Sequence, residues 1–111
     1  MSEIRIPINQ IVPADSPSKS SWERSKGVRT SFKATLYMVA NYYMPADGNH
    51  RLARLYERYG GDFIVDASVY VMEDPIDVVG FTQQIHDVQD LGIRSFADFV
   101  RMCNDGNFDR D

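Results

Sequence analysis

The sequence contains one cysteine, Cys103, so it cannot form an internal disulfide. It has two histidines, His50 and His86, and no CxxC or HxxxH spacing, which excludes a zinc centre of the usual kind. No apolar run approaches the roughly 18 residues needed for a membrane-crossing helix. The first residues, MSEIRIPINQIVP, lack the basic-then-apolar layout of a signal peptide. These absences predict a soluble, cytoplasmic protein that needs neither disulfide nor metal and has no membrane partner. No internal repeat is present, which excludes a solenoid.

What is there suffices for one core. A chain of 111 residues with 43% apolar side chains is long enough for a single compact domain over 1–111 and too short for two. The net charge of −4 hides an asymmetry. Residues 1–60 carry nine Lys/Arg against five acids, a net of +4, and residues 61–111 carry three Arg against eleven acids, a net of −8. The acidic half would repel phosphate, so a uniform nucleic-acid coat is excluded, while one face remains able to take a phosphate-bearing ligand.

Ile4 to Ile8 alternates apolar and polar residues and includes Pro7, which suits an edge strand or a strand end. Residues 13–31 hold two of the five prolines and six serines without an apolar period, and read as a long mobile loop with one helical turn around Trp22. Phe32 to Pro45 is rich in aromatic and β-branched residues and predicts antiparallel strands at Lys33–Val39 and Tyr42–Met44, reversing at Ala40-Asn41, where Asn tolerates a left-handed backbone. Leu52, Leu55, Tyr56 and Tyr59 then fall at helical spacing, and Gly60-Gly61 ends that helix. Phe63 to Met72 predicts a central strand closed by Asp74-Pro75. Helices follow over 77–91 and 96–103, the second opened by Ser95 with Asp98 at its third position. Tyr37, Tyr42, Tyr43, Phe63 and Tyr70 are expected to pack the sheet against the helices. The predicted fold is α+β: a small mixed β-sheet with a core over 4–73, a strand–DGNHR–helix junction and a C-terminal helical extension over 77–105.

The junction Asp47-Gly48-Asn49-His50-Arg51 carries the chemistry. A strand that turns directly into a helix leaves the first helical N–H groups without internal partners, and the helix dipole adds positive charge there, so anions are favoured. Gly48 permits close backbone approach, Arg51 offers a planar fork to phosphate oxygens, Arg54 lies one turn further on, and His50 adds a donor. A plainer alternative has Asp47 capping the helix, His50 bonded to a nearby carbonyl and the arginines solvated.

The order of an IPI strand, a variable loop, a strand pair, DGNHRLA, a helix ending in glycine and a hydrophobic strand over Ile64–Val71 resembles the ParB/sulfiredoxin superfamily over roughly residues 4–73. The resemblance implies that Gly48, Asn49 and His50 line a nucleotide or phosphate pocket and that Arg51 contacts phosphate. It also implies a nucleoside di- or triphosphate with Mg²⁺ as cofactor. Members include nucleotide-hydrolysing clamp proteins, small-molecule kinases, sulfiredoxins and nucleases. Three departures narrow this. Asn49 stands where sulfiredoxin chemistry needs cysteine. Only 38 residues follow Glu73, eight acidic and three basic, so operator binding in the style of the partition proteins is not expected. The helix usual between the first two strands is replaced by the serine-rich loop.

Asp47, His50 and Glu57 are the candidate catalytic side chains, and Glu23 is a further acid within reach if the loop folds back. Each has a structural alternative: a cap for Asp47, an ion pair with Arg54 for Glu57, a solvated loop acid for Glu23. Trp22, Arg24, Lys26 and Arg29 form a candidate lid or partner loop, Trp22 either meeting a partner or anchoring the loop to the core. Two functions follow. One is a nucleotide- or phosphate-binding domain associated with DNA, with hydrolysis, phosphoryl transfer or nuclease activity. The other is a non-catalytic interaction protein of phage or plasmid type that regulates or inhibits a host protein.

Overall fold

Val65, Ala67 and Val69 alternate along the most apolar stretch of the chain and are buried, so one face of that strand belongs to a core. The computed structural model describes residues 1–111. Its strands are β1 (Ser2–Pro7), β2 (Lys33–Val39), β3 (Tyr42–Asp47) and β4 (Ile64–Val71). Its α-helices are α1 (Lys19–Arg24), α2 (Asn49–Tyr59), α3 (Pro75–Asp90) and α4 (Phe96–Asn104). The strands form one four-stranded sheet in the order β1-β4-β2-β3. β4 is central, antiparallel to β1 and parallel to β2, while β2 and β3 form an antiparallel hairpin. The fold is therefore α+β with a mixed sheet, as the sequence pattern predicts.

Two apolar layers flank the sheet. On one face, Ile6, Ala34, Leu36 and the alternate residues of β4 meet Leu52 and Leu55 of α2 and Phe96 and Phe99 of α4. On the other, Val39 and Met44 pack with Ala14 and with Ile85 of α3, and Tyr37 lies 5.0 Å from Phe81 between ring centroids. Beyond α3 that second face is polar, bridged by the ion pairs Arg5–Asp66 and Lys33–Glu3, as an antiparallel edge facing water allows. α3 and α4 are started by side chains: Asp74 accepts the Ile76 N–H with Pro75 in the first turn, and Ser95 accepts the Asp98 N–H.

Four details depart from the sequence reading. Ala40, not Asn41, takes the positive φ of the hairpin, at 52°. β3 runs on to Asp47, with a register shift at Thr35/Leu36, so the strand delivers the DGNHR turn directly. Tyr70 is exposed rather than packed. Residues 13–31 contain the expected helical turn around Trp22, as α1, followed by a 3-10 turn over Ser25–Gly27, but the segment is fastened rather than free, and a helix does stand between the first two strands. The segment is fastened along its length. The Val12 N–H donates to Tyr43, the Lys19 N–H donates to the Arg110 carbonyl, and Trp22 is buried.

Candidate functional site

Gly48 sits between β3 and α2 with φ 91° and ψ 22°, a left-handed backbone that L side chains rarely adopt. A Cβ there would also lie 2.9 Å from the Phe32 ring, so the position requires glycine on two counts. Glycine has no side chain to cap the helix it precedes. The first intrahelical bond is from the Leu52 N–H to the Gly48 carbonyl, and the N–H groups of Asn49, His50 and Arg51 have no partner within the chain. α3 and α4 are capped by side chains and α2 is not.

Asp47 does not supply the missing cap. Its Oδ1 accepts the Gly48 N–H at 2.8 Å and its Oδ2 pairs with Arg51 at 3.3 Å. The Arg51 guanidinium stands over the Phe32 ring, 4.5 Å from its centroid, and its side chain is 44% exposed. It is held in place without being buried.

Next to this turn lies a cavity of about 430 Å³ whose walls come from distant parts of the chain. Pro45, Ala46 and the whole of Asp47–Arg51 form one side; Asp15, Ser21, Arg24 and Ser25 form another, and Gln84 of α3 completes it. Arg24 and Arg51 are its two cations. The Arg24 guanidinium donates to Ser21 Oγ at 3.0 Å and is otherwise exposed.

The buried side chains of the motif tie down the segment that forms the opposite wall. Asn49, 7% exposed, accepts the Ala14 N–H on Oδ1 at 2.9 Å. His50, equally buried, accepts the Ser18 N–H on Nε2 at 2.9 Å, and its ring meets Phe99 edge-on at 5.0 Å. Burial lowers the His50 pKa to about 4, so the imidazole is neutral at physiological pH. Asp15 in turn pairs with Arg110 at 2.6 Å, and Arg110 also donates to Ser16, so the last residues of the chain brace the same segment.

Several expected site residues lie elsewhere. Arg54 is 8% exposed and turned inward: it donates to the Trp22 carbonyl and to Ser25 Oγ and pairs with Glu57 at 3.2 Å. It does not reach the cavity, and neither does Glu57, its i, i+3 ion-pair partner. Trp22 is the core anchor of its segment rather than a partner-facing residue. Lys26 and Arg29 are exposed away from the cavity, leaving Arg24 as the only member of the predicted lid on its wall. Glu23 is exposed and lines nothing. Of the three catalytic candidates, Glu57 is remote and Nε2 of His50 is occupied, while Asp47 lines the cavity with its carboxylate bonded to the Gly48 N–H and paired with Arg51. Cys103 is buried, which raises its thiol pKa to about 12 and leaves it unreactive.

Sequence reasoning missed Asp15, Ser21, Ser25 and Gln84. Nothing in their local spacing marks them, because each joins the site only through tertiary packing. No group of three or more His, Cys, Asp or Glu side chains is arranged to hold a metal ion, and no helix is long and apolar enough to cross a membrane. Comparison with protein-family models, with curated proteins and with solved structures gave no match.

Proposed function

We propose that this chain is a phosphate-binding domain that takes the phosphate group of a nucleotide or a related ligand at the Asp47–Arg51 turn. The observation that carries the reading is the uncapped start of α2: three backbone N–H groups without partners, beside a cavity that Arg24 and Arg51 also line. Helix dipole, free donors and guanidinium charge all favour an anion at that point. The similarity of DGNHRLA to the ParB/sulfiredoxin motif supports the same assignment, with Gly48, Asn49, His50 and Arg51 in the roles the motif implies and Arg54 removed from them.

The lining fits phosphate better than it fits a base. It contains no Phe, Tyr or Trp for stacking, so binding energy for a nucleoside di- or triphosphate rests on its phosphates. Asp15 and Asp47 are already committed to Arg110 and Arg51, and Mg²⁺ would enter carried by the phosphates rather than held by a carboxylate cluster. Binding, not catalysis, is the function that these side chains support; DNA would be met through the same phosphate chemistry. The test is thermal unfolding with and without ATP, CTP, ADP and Mg²⁺, for wild type and Arg51→Ala. A ligand at a hundredfold excess over Kd adds about 2.7 kcal/mol. A shift in wild type that Arg51→Ala diminishes is expected, and no shift with any of these ligands would sink the reading.

A second reading, an interaction protein that regulates or inhibits a host protein, is favoured by a different observation. Tyr70, Val71, Ile76 and Val79 are 41 to 82% exposed where β4 hands over to α3, and exposed apolar clusters of this kind mark protein contacts. Ile76→Asp with Val79→Asp should abolish retention of a stoichiometric partner from a host lysate while leaving nucleotide shifts intact. Unchanged retention would count against this surface.

A further inference from the structure

β4 turns alternate backbone groups to its two neighbours. The Ile8 N–H donates to the Phe63 carbonyl just beyond the β1–β4 ladder, whereas the Met72 N–H donates to the Met38 carbonyl of β2. Carried along the register, this parity turns the backbone groups of Ser2, Ile4 and Ile6 toward β4 and those of Glu3 and Arg5 outward. β1 ends the sheet, and no turn or loop of this chain bonds the outward N–H and C=O groups of Glu3 and Arg5. Pro7, the next outward position, has no N–H to offer. The opposite edge is taken up at Tyr43 of β3, which is bridged by Ile11 and accepts the Val12 N–H.

The side chains sort in the same way. Ile6 is buried and Ile4 half-buried on the helix-covered face, while Glu3 and Arg5 are exposed on the other. Across that open face the charges alternate in sign: Lys33 of β2 stands opposite Asp66 of β4, and Asp66 stands opposite Arg5 of β1. Arg5 pairs with Asp66 and Glu3 with Lys33, yet their side chains are 75% and 51% exposed, so each keeps room for a second partner.

We infer that β1 is a pairing edge for a second copy of this chain, joined antiparallel about a twofold axis through Ile4. Outward groups meet outward groups only when the axis passes through a residue. With the axis at Glu3 or at Arg5, that charge faces its own copy, which is destabilising. Axes nearer either end of β1 match fewer of the outward groups. With the axis at Ile4, Glu3 faces the partner's Arg5 and Arg5 faces the partner's Glu3, each pair exchanging two backbone hydrogen bonds. The row of alternating charges then continues across the interface. Ile4 meets the partner's Ile4 at the closer, non-hydrogen-bonded spacing. Charges and proline on an edge ordinarily discourage pairing; here the two signs exclude the neighbouring registers and admit this one. The twofold uses the free edge of both copies, so the assembly closes as a dimer rather than growing. The cavity lies beside β3, at the far edge of each sheet, and stays open in both copies.

A contact of one strand pair is small, so the dimer should be weak and concentration-dependent. Sedimentation velocity of wild type should show dimer at about 0.1 mM. Hydrogen exchange at the Glu3 and Arg5 amides should slow with concentration more than at Ile4 and Ile6, which are bonded within the single chain. Glu3→Arg and Arg5→Glu each set like charges opposite one another at both pairs, and each variant alone should associate about tenfold more weakly. Mixed in equal amounts, the two restore opposite charges at both pairs, so the mixture should associate like wild type. Circular dichroism checks that both variants, altered only at exposed side chains, remain folded. Wild type that stays monomeric at about 0.1 mM would overturn the proposal. A dimer that neither variant weakens, or a mixture no better associated than its components, would overturn it as well. None of these outcomes bears on anion binding at the other edge.

Discussion

The Arg54 guanidinium stands over the Trp22 ring, 3.3 Å from its centroid, and its Nη2 donates to the carbonyl of that same tryptophan at 2.6 Å. One side chain thus holds both the ring and the backbone of the segment between β1 and β2. Cation–π attraction and charge-assisted hydrogen bonds add in a buried setting. Arg51, three residues earlier on the same helix, is half exposed, and its contacts are the Asp47 carboxylate and the Phe32 ring.

The two arginines should therefore separate stability from binding. Arg54→Ala should lower unfolding free energy by about 3 kcal/mol, since it removes the cation stacked on the Trp22 ring, leaves the Trp22 carbonyl with the Ser25 hydroxyl as its one side-chain donor, and strips Glu57 of its ion-pair partner. Arg51→Ala should change it by no more than about 0.5 kcal/mol while weakening anion binding. Urea unfolding followed by the fluorescence of the single tryptophan measures both. Equal stability losses for the two variants would contradict the assignment.

His50 predicts an acid-sensitive fold. Its pKa is about 4 in the folded chain and about 6.5 when unfolded, so between these values the unfolded state binds more protons. Stability contributed by the neutral ring is complete above about pH 6.5 and is lost as pH falls toward about 4. Because the cavity side of the ring meets solvent, the loss is discounted to about 2 kcal/mol. Protonation of Nε2 also breaks the bond from the Ser18 N–H. Urea midpoints across this range should fall on acidification in wild type, and less steeply in His50→Gln, whose side-chain oxygen can accept the same N–H. Parallel curves for the two proteins would rule out His50 as the cause.

Ala40 is the one non-glycine residue with a positive φ. It is the first of the two residues between the paired Val39 and Tyr42, and a hairpin turn with its positive φ at that position favours glycine. Ala40→Gly should stabilise the protein by about 1 kcal/mol by relieving the left-handed strain, a gain reduced by the greater freedom of glycine in the unfolded chain. A lowered melting temperature would show that the turn is not strained.

The strands and helices were legible because their signals are local. The alternation of Val65, Ala67 and Val69, the helical stripe from Leu52 to Tyr59, and the Ser95–Asp98 cap each lie within a few residues. The DGNHR turn was legible for the same reason. The roles of its side chains were not: Arg54 and Arg51 look alike in a helical sequence, and only the position of Trp22, 32 residues away, decides which one is buried. In the serine-rich segment the helical turn around Trp22 was legible and its fastening was not, because that order comes from outside the segment, from the acceptors on Asn49 and His50 and from Arg110. The Asp15–Arg110 pair spans nearly the whole chain, and no spacing rule connects residues so far apart.

That distance has a kinetic consequence. The cavity walls meet only after Ala14 and Ser18 have reached Asn49 and His50, 35 and 32 residues along the chain, and after Arg110 has closed on Ser16, 94 residues away. Contacts of such separation form late, because loop closure must precede any gain from them. The sheet and α2 can assemble before the pocket exists. In a refolding experiment, anion capture should lag behind recovery of secondary structure, which makes the bound ligand a reporter of the finished molecule rather than of its collapse.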